Sequence, residues 1–390
     1  MEKSKARDIL IVSCYSYFSF GLLWAAIGPL LAQFAVRNGT SLATIGGIYS
    51  AIFLGAVLSQ VVLGPFTDRL GQLHVLTIAL FTLALGIVGV SLSRWLPLTF
   101  ALAFITGLGQ GMTNVSGNVM VGHIFNEKSV SAVNMLNMFW GIGACIGPLL
   151  VGGSIYLWQN GFPALWFSAV LTFIAALIFL FAFFNVQIGA SGQVPRAAVT
   201  PKRMRFTPFL WSMGMLLLLY VGSESAMGGW ATTYMQRTTT LNIELAAMVT
   251  SGFWLALTVG RFFATVLGSR LQAKWVEILA LGTAALGTIL FLVGYGNSTL
   301  SIAAVLLIGL GFGPIYPTGV AMITNAFPET PGQASSVVIS MSAVGGMLIP
   351  WLQGVIMQQT GIRSGTYMFV VLLILLAATF TVNQVVAKKK

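Results

Sequence analysis

The sequence has few charged residues. Only 7% of its 390 residues are Asp, Glu, Lys or Arg, whereas soluble domains carry about 25%. Acidic residues are rarer than basic residues, with 8 Asp and Glu against 19 Lys and Arg. No polar stretch is long enough to form a water-facing shell, which excludes an ordinary soluble fold. Because 57% of the residues are hydrophobic, we predict that most of the chain is surrounded by lipid.

Cysteine and histidine are also rare. Cys14 and Cys145 both lie inside apolar runs, which excludes a disulfide framework and a thiolate metal site. His74 and His123 lie on separate segments without a neighbouring carboxylate cluster. The sequence contains neither a phosphate-binding loop of the Walker type nor a nucleotide fingerprint, which argues against ATP-driven pumping. We therefore expect no enzymatic activity, no metal and no cofactor.

Long apolar runs occupy nearly the whole chain. A helix needs about 20 apolar residues to cross a hydrocarbon core. Twelve runs of this kind are separated by polar or turn-forming residues, and they predict an all-α integral membrane protein. The predicted spans are 9–35, 44–66, 74–93, 96–123, 130–157, 163–187, 208–235, 243–268, 275–296, 299–326, 333–358 and 364–387.

The distribution of Lys and Arg predicts the orientation of the chain in the membrane. With a cytoplasmic N-terminus, fourteen of the nineteen basic residues fall on the cytoplasmic side. Four fall on the other side, namely Arg37, Arg94, Arg237 and Arg363. Both termini are therefore expected in the cytoplasm. The net charge of +11 follows from this topology, and no basic face interleaved with aromatic residues indicates nucleic-acid binding.

The two halves of the chain repeat each other weakly at an offset of about 202 residues. Gly107-Leu-Gly-x-Gly111 recurs as Gly309-Leu-Gly-x-Gly313, and Pro148 corresponds to Pro350. We predict two pseudo-symmetric six-helix bundles, 1–188 and 208–390, joined by a polar cytoplasmic linker at 189–207. Such duplicated bundles are typical of transporters in which a midplane site lies between the repeats and access alternates. Gly147-Pro148 and Gly313-Pro314 are candidate points of helix flexibility.

The loop from Gly64 to Gly71 resembles the cytoplasmic signature of the major facilitator superfamily. With the twelve spans and the repeat, the resemblance covers essentially the whole chain and implies the major facilitator fold. It implies that Asp68 and Arg69 belong to a charge network that steadies the outward-facing state. The usual basic pair after the second glycine is replaced by Gln72 and Leu73, so this network is expected to be thinner here.

A narrower resemblance is to the fucose-permease-like branch, which contains proton-coupled sugar symporters. Three parts of the chain carry it: residues 220–224 with 228–230, residues 313–318, and residues 134–143 with 147–148. Fucose permeases carry coupling acids in the first and fourth spans, and the corresponding spans of this chain carry none. The branch therefore suggests a substrate class, while the coupling residue has to be sought elsewhere.

Glu224 is the acid that the sequence places well inside a span. The other seven acids, Glu277 among them, fall in loops or near the predicted span ends. An ionisable group in hydrocarbon normally faces a cavity or a partner and marks a transport pathway. We therefore expect Glu224 to bind a proton or the substrate; the alternative is a structural acid bonded to Ser223, Ser225 or a tyrosine.

Arg261 is the one cation within a predicted span. By helical rise it lies roughly 10 Å from the cytoplasmic end of its span, whereas Glu224 lies roughly 24 Å from that side. These depths predict that the two side chains do not pair directly. Arg261 is then either part of a cytoplasmic gate or a site for an anionic substrate, and its depth favours the gate.

Amide side chains are concentrated in the fourth and fifth spans. On the fourth span the amides are spaced four residues apart, which places them on one helix face. In a water-filled cavity, amides read hydroxyl groups through paired donors and acceptors; otherwise they hold helices together. The candidate substrate-binding residues are Gln110, Asn114, Asn118, Asn134 and Asn137, with the aromatic residues Trp140, Trp24, Trp230, Trp254 and Tyr316 as flat apolar walls.

These features favour a secondary active transporter, with proton-coupled uptake of a neutral sugar-like solute as the leading hypothesis. An exporter of amphipathic drugs or metabolites is one alternative, indicated by 16 Met, 27 Phe and little buried charge. A membrane sensor or lipid-handling protein without transport activity is another. We expect a monomeric, multi-pass protein of the cell inner membrane whose partners are its small-molecule substrate, protons and the lipid bilayer.

Overall fold

A computed structural model describes residues 3–60, 71–125, 129–183, 206–268, 271–327 and 331–387. Over these residues the chain is helical and contains no strand. The first half contributes α1 Lys3–Arg37, α2 Leu42–Leu58, α3 Gln72–Leu92, α4 Leu96–Phe125, α5 Ser129–Trp158 and α6 Phe162–Phe183. The second half contributes α7 Pro208–Thr238, α8 Ile243–Gly268, α9 Ala273–Val293, α10 Ser298–Phe312, α11 Ile315–Ala326, α12 Pro331–Thr360 and α13 Ser364–Ala387.

The described helices account for twelve membrane spans. Eleven segments are long and apolar enough to cross a bilayer, one of them combining α10 with α11, and α2 is a shorter apolar helix. Only helices and closed barrels satisfy every backbone group in hydrocarbon, so the apolar sequence forms helices throughout. Polar residues set the helix starts: the Thr207 side chain accepts a hydrogen bond from the Leu210 N–H, and Pro208 opens α7.

The tenth predicted span is not one continuous helix. It is interrupted at Gly313 and Pro314, where α10 ends and α11 begins. Proline lacks the N–H that would continue the helical hydrogen bonds. The interruption is one of hydrogen bonding, because Gly313 and Pro314 both keep right-handed helical backbone angles. In the first half, Pro148 lies inside α5 without ending it. One of the two predicted flexible points is therefore a helix break.

The chain divides into two compact units. One is Met1–Ser41 with Gly47–Val199, and the other is Leu42–Gly46 with Thr200–Lys390. In the first unit α1 packs on α5 and α3 packs on α4; in the second, α7 packs on α12 and α9 packs on α10. These helix pairs correspond in order along the chain, which is the pseudo-symmetry that the repeat predicts.

The same type of glycine contact occurs within each unit. A Cβ added at Gly109 would meet the backbone of Ala79 and Leu83, and a Cβ at Gly311 would meet the backbone of Ala280 and Ala284. Small residues let membrane helices approach closely, and van der Waals contact then holds them together. The repeated glycines therefore mark the places where each unit's helices pack backbone to backbone.

Candidate functional site

Glu224 and Arg261 form an ion pair inside the second unit. Nη2 of Arg261 donates a hydrogen bond to Oε1 of Glu224 at 3.4 Å, joining α7 to α8. The side chains are 11% exposed for Glu224 and 29% exposed for Arg261. A charge taken out of water needs a partner of opposite sign, which explains why the deepest acid and the deepest base identified in the sequence come together.

The sequence prediction that these two residues do not pair is wrong. The side chains of Thr232 on α7 and Thr250 on α8 are 2.7 Å apart, so these two residues lie at one level of the antiparallel helices. Counting from them, Arg261 lies only three residues, about 4.5 Å, beyond the level of Glu224. A long arginine side chain covers that distance. The depth estimate failed because it took the cytoplasmic ends of the two helices to be level.

Aromatic residues surround the ion pair. Tyr220 precedes Glu224 by one helical turn, and its hydroxyl group interacts electrostatically with both charged side chains. The Tyr220 ring packs edge-on against Phe312, with centroids 5.7 Å apart, and lies 6.3 Å from the ring of Tyr316. The Tyr316 hydroxyl group also interacts electrostatically with Glu224 and Arg261. The helix break at Gly313 and Pro314 lies between Phe312 and Tyr316, the two residues whose rings lie against Tyr220.

The amides of α4 and α5 form a hydrogen-bonded chain within the first unit. The Asn118 Nδ2 donates to Oδ1 of Asn114 at 2.8 Å, and the Asn137 Nδ2 lies 3.5 Å from Oδ1 of Asn118. The Tyr17 hydroxyl donates to the Asn114 carbonyl at 3.0 Å. Gln110 is half-buried one turn before Asn114. The side chain of Asn134 lies outside the described residues.

The amide chain retains hydrogen-bonding capacity. Asn114 and Asn137 are exposed in the described structure. A neutral amide offers two donor hydrogens and an acceptor oxygen. Nδ2 of Asn118 and Nδ2 of Asn137 each donate two hydrogen bonds, which leaves Nδ2 of Asn114 and Oδ1 of Asn137 for a further partner. The arrangement combines donors and acceptors along one surface, which is the chemistry needed to bind hydroxyl groups.

The four candidate tryptophans have different surroundings. Trp230 is only 2% exposed, and its indole N–H donates to the Pro350 carbonyl at 2.8 Å. Trp24 is buried against Tyr49 and Phe53. The other two are Trp254, which is buried beside Phe253 and Gly228, and Trp140, which is half-buried with its ring edge-on to Phe20.

Asp68 and Arg69, the predicted gating residues of the signature loop, lie outside the described residues. Among the described residues, no three His, Cys, Asp or Glu side chains come together. Cys14 and Cys145 are free thiols.

Sequence reasoning missed two residues. Tyr220 was visible only as part of a resemblance, although its position one turn before the deepest acid could have indicated a partner. Glu277 was placed near a span end, yet it is fully buried in α9. Its position as the fifth residue of α9 agrees with that placement, but the burial of its side chain was not foreseen. Its distance from the start of the helix along the sequence did not reveal that neighbouring helices cover it.

The family model of the Major Facilitator Superfamily matches residues 10–249 and 213–390, which together cover nearly the whole sequence. The chain belongs to the Major Facilitator Superfamily. It is therefore a multi-pass membrane transporter and not an enzyme. The resemblance of the chain to the major facilitator superfamily is confirmed.

Curated relatives match this superfamily member along most of its length. The inner membrane transport protein YdiN of Escherichia coli is 24% identical over 91% of this chain and 86% of its own length. The sodium-dependent glucose transporter 1 of Danio rerio is 21% identical over 96% of this chain and 68% of its own length.

Solved structures share the superfamily fold. The nucleoside transporter NupG matches with a TM-score of 0.75 and 16% identity over 99% of this chain and 99% of its own. The fucose:proton symporter FucP of Escherichia coli matches with a TM-score of 0.63 and 19% identity over 97% of this chain and 98% of its own. At these identities the similarity shows the major facilitator fold with its twelve helices.

Proposed function

We propose that this chain takes up a small neutral, sugar-like solute by alternating access and that a proton on Glu224 drives the uptake. The observation that carries the proposal is the Glu224–Arg261 ion pair within the second unit. The carboxylate has two competing partners, the guanidinium group and a proton. When a proton occupies the carboxyl group, the attraction to Arg261 is lost and the two side chains are free to separate.

This competition gives a physical basis for coupling. A ligand shifts a conformational equilibrium only by binding one state better than the other. A proton binds Glu224 better in a conformation where Arg261 has moved away, and worse in the paired conformation. Tyr220 and Tyr316 lie against the pair, and the break between α10 and α11 supplies a short helix that can follow its movement.

The solute class is supported by the amide chain of Asn114, Asn118 and Asn137, whose donors and acceptors suit hydroxyl groups. The names of several similar proteins point in the same direction, since glucose, nucleosides and fucose are all polyhydroxyl solutes. The similarity to YdiN supports an inner-membrane location, and the basic loops support cytoplasmic termini. We further propose that residues 189–207 link the two bundles and that the protein acts as a monomer.

Counterflow into proteoliposomes tests the solute class. Vesicles containing the full chain are tested in turn with glucose, fucose, a nucleoside, an amphipathic cation and a lipid, and entry of the labelled compound is followed. Accumulation of one of them supports the proposal. Movement restricted to an amphipathic cation would favour the exporter, whereas vesicles that exchange none of these solutes or lipids would favour a sensor without transport activity.

Imposed ion gradients test the coupling. We expect an inward proton gradient to drive accumulation in the wild type, and Glu224→Gln to abolish that accumulation while counterflow continues, because Gln can neither bind nor release the proton. Glu244→Gln, in the first turn of α8, is the matched control and should accumulate normally. Accumulation driven by a sodium gradient alone, or unchanged in Glu224→Gln, would contradict proton coupling at this residue.

A variant of the amide chain tests substrate recognition. Asn118→Leu removes the middle amide, and we expect about a tenfold rise in the half-saturating solute concentration, as loss of one hydrogen bond worth roughly 1.4 kcal/mol would give. Asn242→Ser keeps the capping oxygen before α8 and should transport normally. An unchanged half-saturating concentration in Asn118→Leu would assign the amide to helix packing.

A further inference from the structure

Glu277 is a buried acid that the proposed coupling mechanism does not use. It is the fifth residue of α9 and has no solvent exposure. Neither carboxyl oxygen, Oε1 or Oε2, has a hydrogen-bond partner in the described structure. This environment contrasts with that of Glu224, whose carboxylate is paired with Arg261. Buried carboxylates are normally paired or neutral, so the two acids are in different chemical situations.

The helices packed against α9 offer Glu277 no counter-ion within the described residues. These helices are α8, α10, α11 and α13. Arg261 on α8 is paired with Glu224, and Lys274 on α9 itself has its ammonium group 5.4 Å from the centre of the Trp275 ring. The remaining titratable groups on the described parts of these helices are Glu244, Tyr316 and Tyr367, while Arg270 and the C-terminal lysines lie outside the described residues.

Asn383 on α13 lies at the level of Glu277. The antiparallel helices α9 and α13 meet at Phe291 and Phe369, whose ring centroids are 6.0 Å apart. Glu277 and Asn383 each lie fourteen residues from this contact toward the same end of the pair. Equal rise places both about 21 Å from the aromatic contact, and fourteen residues are close to four whole turns, so both return to the facing sides of their helices.

The amide orientation of Asn383 leaves an acceptor without a donor. The Ser212 hydroxyl donates to the Phe209 carbonyl at 3.0 Å, so its oxygen accepts the bond from Nδ2 of Asn383, also at 3.0 Å. Oδ1 of Asn383 is then directed elsewhere, and it has no partner in the described part of the chain. The side chain is fully buried. This part of the second unit thus contains unsatisfied acceptors on both helices, and Nε2 of the neighbouring Gln384, a buried donor on α13, makes no hydrogen bond to them in the described structure.

A single proton on the carboxyl group of Glu277 would supply a hydrogen-bond donor to these acceptors. An ionised carboxyl group only accepts hydrogen bonds, whereas a protonated one also donates. An uncompensated buried charge is strongly unfavourable, and the helix dipole helps little because its effect fades within the first turn. We propose that Glu277 is a second proton-binding site, occupied in the conformation described here, and that loss of its proton favours a conformation in which the carboxylate is hydrated.

This site would make the conformational equilibrium depend on pH independently of Glu224. The proposal does not rest on the proposed function, because it concerns the protonation of a residue that the coupling mechanism leaves out. A variant at Glu224 would remove proton-driven accumulation, whereas a variant at Glu277 would change how the population of this conformation responds to pH. The failure of one proposal therefore leaves the other standing.

Thermal unfolding of the purified full chain tests the proposal without any substrate. If Glu277 is protonated when folded and ionised when unfolded, the folded state binds the extra proton, and Tm falls as the pH rises. We expect Glu277→Gln, which keeps a neutral side chain, to lose this part of the fall, so that its Tm gains on the wild type toward alkaline pH. Glu244→Gln should follow the wild-type profile. Parallel profiles for wild type and Glu277→Gln would overturn the proposal.

Infrared spectroscopy gives a direct readout. A protonated carboxyl group has a C=O stretching band that an ionised one lacks, and the wild type should show such a band at neutral pH. The band should disappear in Glu277→Gln and persist in Glu244→Gln. Should Glu277→Gln fail to fold, Glu277→Met supplies a second neutral side chain of similar length. A wild-type spectrum without the band, or an unchanged band in both variants, would overturn the proposal.

Discussion

Oε1 of Glu224 and Nη2 of Arg261 are 3.4 Å apart, although the two residues are separated by 37 positions on different helices of the second unit. Their helices are held in register by the hydroxyl contact between Thr232 and Thr250. The pair therefore depends on the packing of α7 against α8, and any change in the register of these helices would alter it.

Removing one member of the pair should cost more than removing both. Arg261→Met leaves the Glu224 carboxylate buried without its counter-ion, and we expect a loss of about 3 kcal/mol in the free energy of unfolding. The double variant Glu224→Gln with Arg261→Met should recover most of that loss. Denaturant unfolding in detergent measures both.

Arg237→Met, at the exposed end of α7, is the control for the loss of a positive charge, and its effect should stay within about 0.5 kcal/mol. If the losses in the free energy of unfolding for Glu224→Gln alone and Arg261→Met alone add up to the loss for the double variant, the two side chains do not interact.

The hydroxyl group of Tyr220 should contribute to both stability and transport. Tyr220→Phe keeps the ring contact with Phe312 but removes the group that lies beside both charges. We expect a loss of about 1 kcal/mol in the free energy of unfolding and a slower counterflow. The exposed Tyr156→Phe serves as the control. Normal stability and counterflow in Tyr220→Phe would restrict the role of this residue to ring packing.

The repeated glycines should be intolerant of a single methyl group. Gly109→Ala and Gly311→Ala each place a Cβ against helix backbone, and we expect each to lower the free energy of unfolding by about 1–3 kcal/mol. Gly282→Ala on α9 has open space around it, and the better helix propensity of Ala should leave it equally or slightly more stable. Similar effects at all three positions would contradict the close-packing interpretation.

Trp230 should behave as a packing residue. Trp230→Phe removes the indole N–H that bonds to the Pro350 carbonyl, so we expect the free energy of unfolding to fall by about 1–2 kcal/mol. The half-saturating solute concentration should be unchanged, because the ring is almost fully buried. The exposed Trp275→Phe is the control. A changed half-saturating concentration with normal stability would instead support the substrate-wall role predicted from the sequence.

Much of the fold was predictable because hydrocarbon imposes a strict rule on the backbone. Every span had to be a helix, and long apolar runs therefore located the spans within a few residues. The internal repeat predicted two similar bundles, and the shared glycines lie at corresponding contacts. Both Gly-Pro points were candidates for flexibility, yet only Gly313-Pro314 interrupts a helix, so the local chemistry of proline did not decide where the break lies.

The site was less predictable because it depends on how helices are placed against each other. The sequence singled out Glu224 and Arg261 by their burial in apolar runs, yet counting from predicted helix ends gave the wrong depths. The burial of Glu277 was missed because neighbouring helices cover it, and its position near the start of α9 does not reveal them. The substrate and gating roles of the amides, the tryptophans and the signature loop stay predictions.

The amino-acid sequence by itself determined that this chain crosses the membrane twelve times in two related halves, because both results follow from local hydrophobicity and from repeated residues. The tertiary structure alone decided which buried acid has a partner. Pairing depends on helix register and on distances of a few ångströms between side chains that are far apart in the chain, and a linear pattern does not specify those distances.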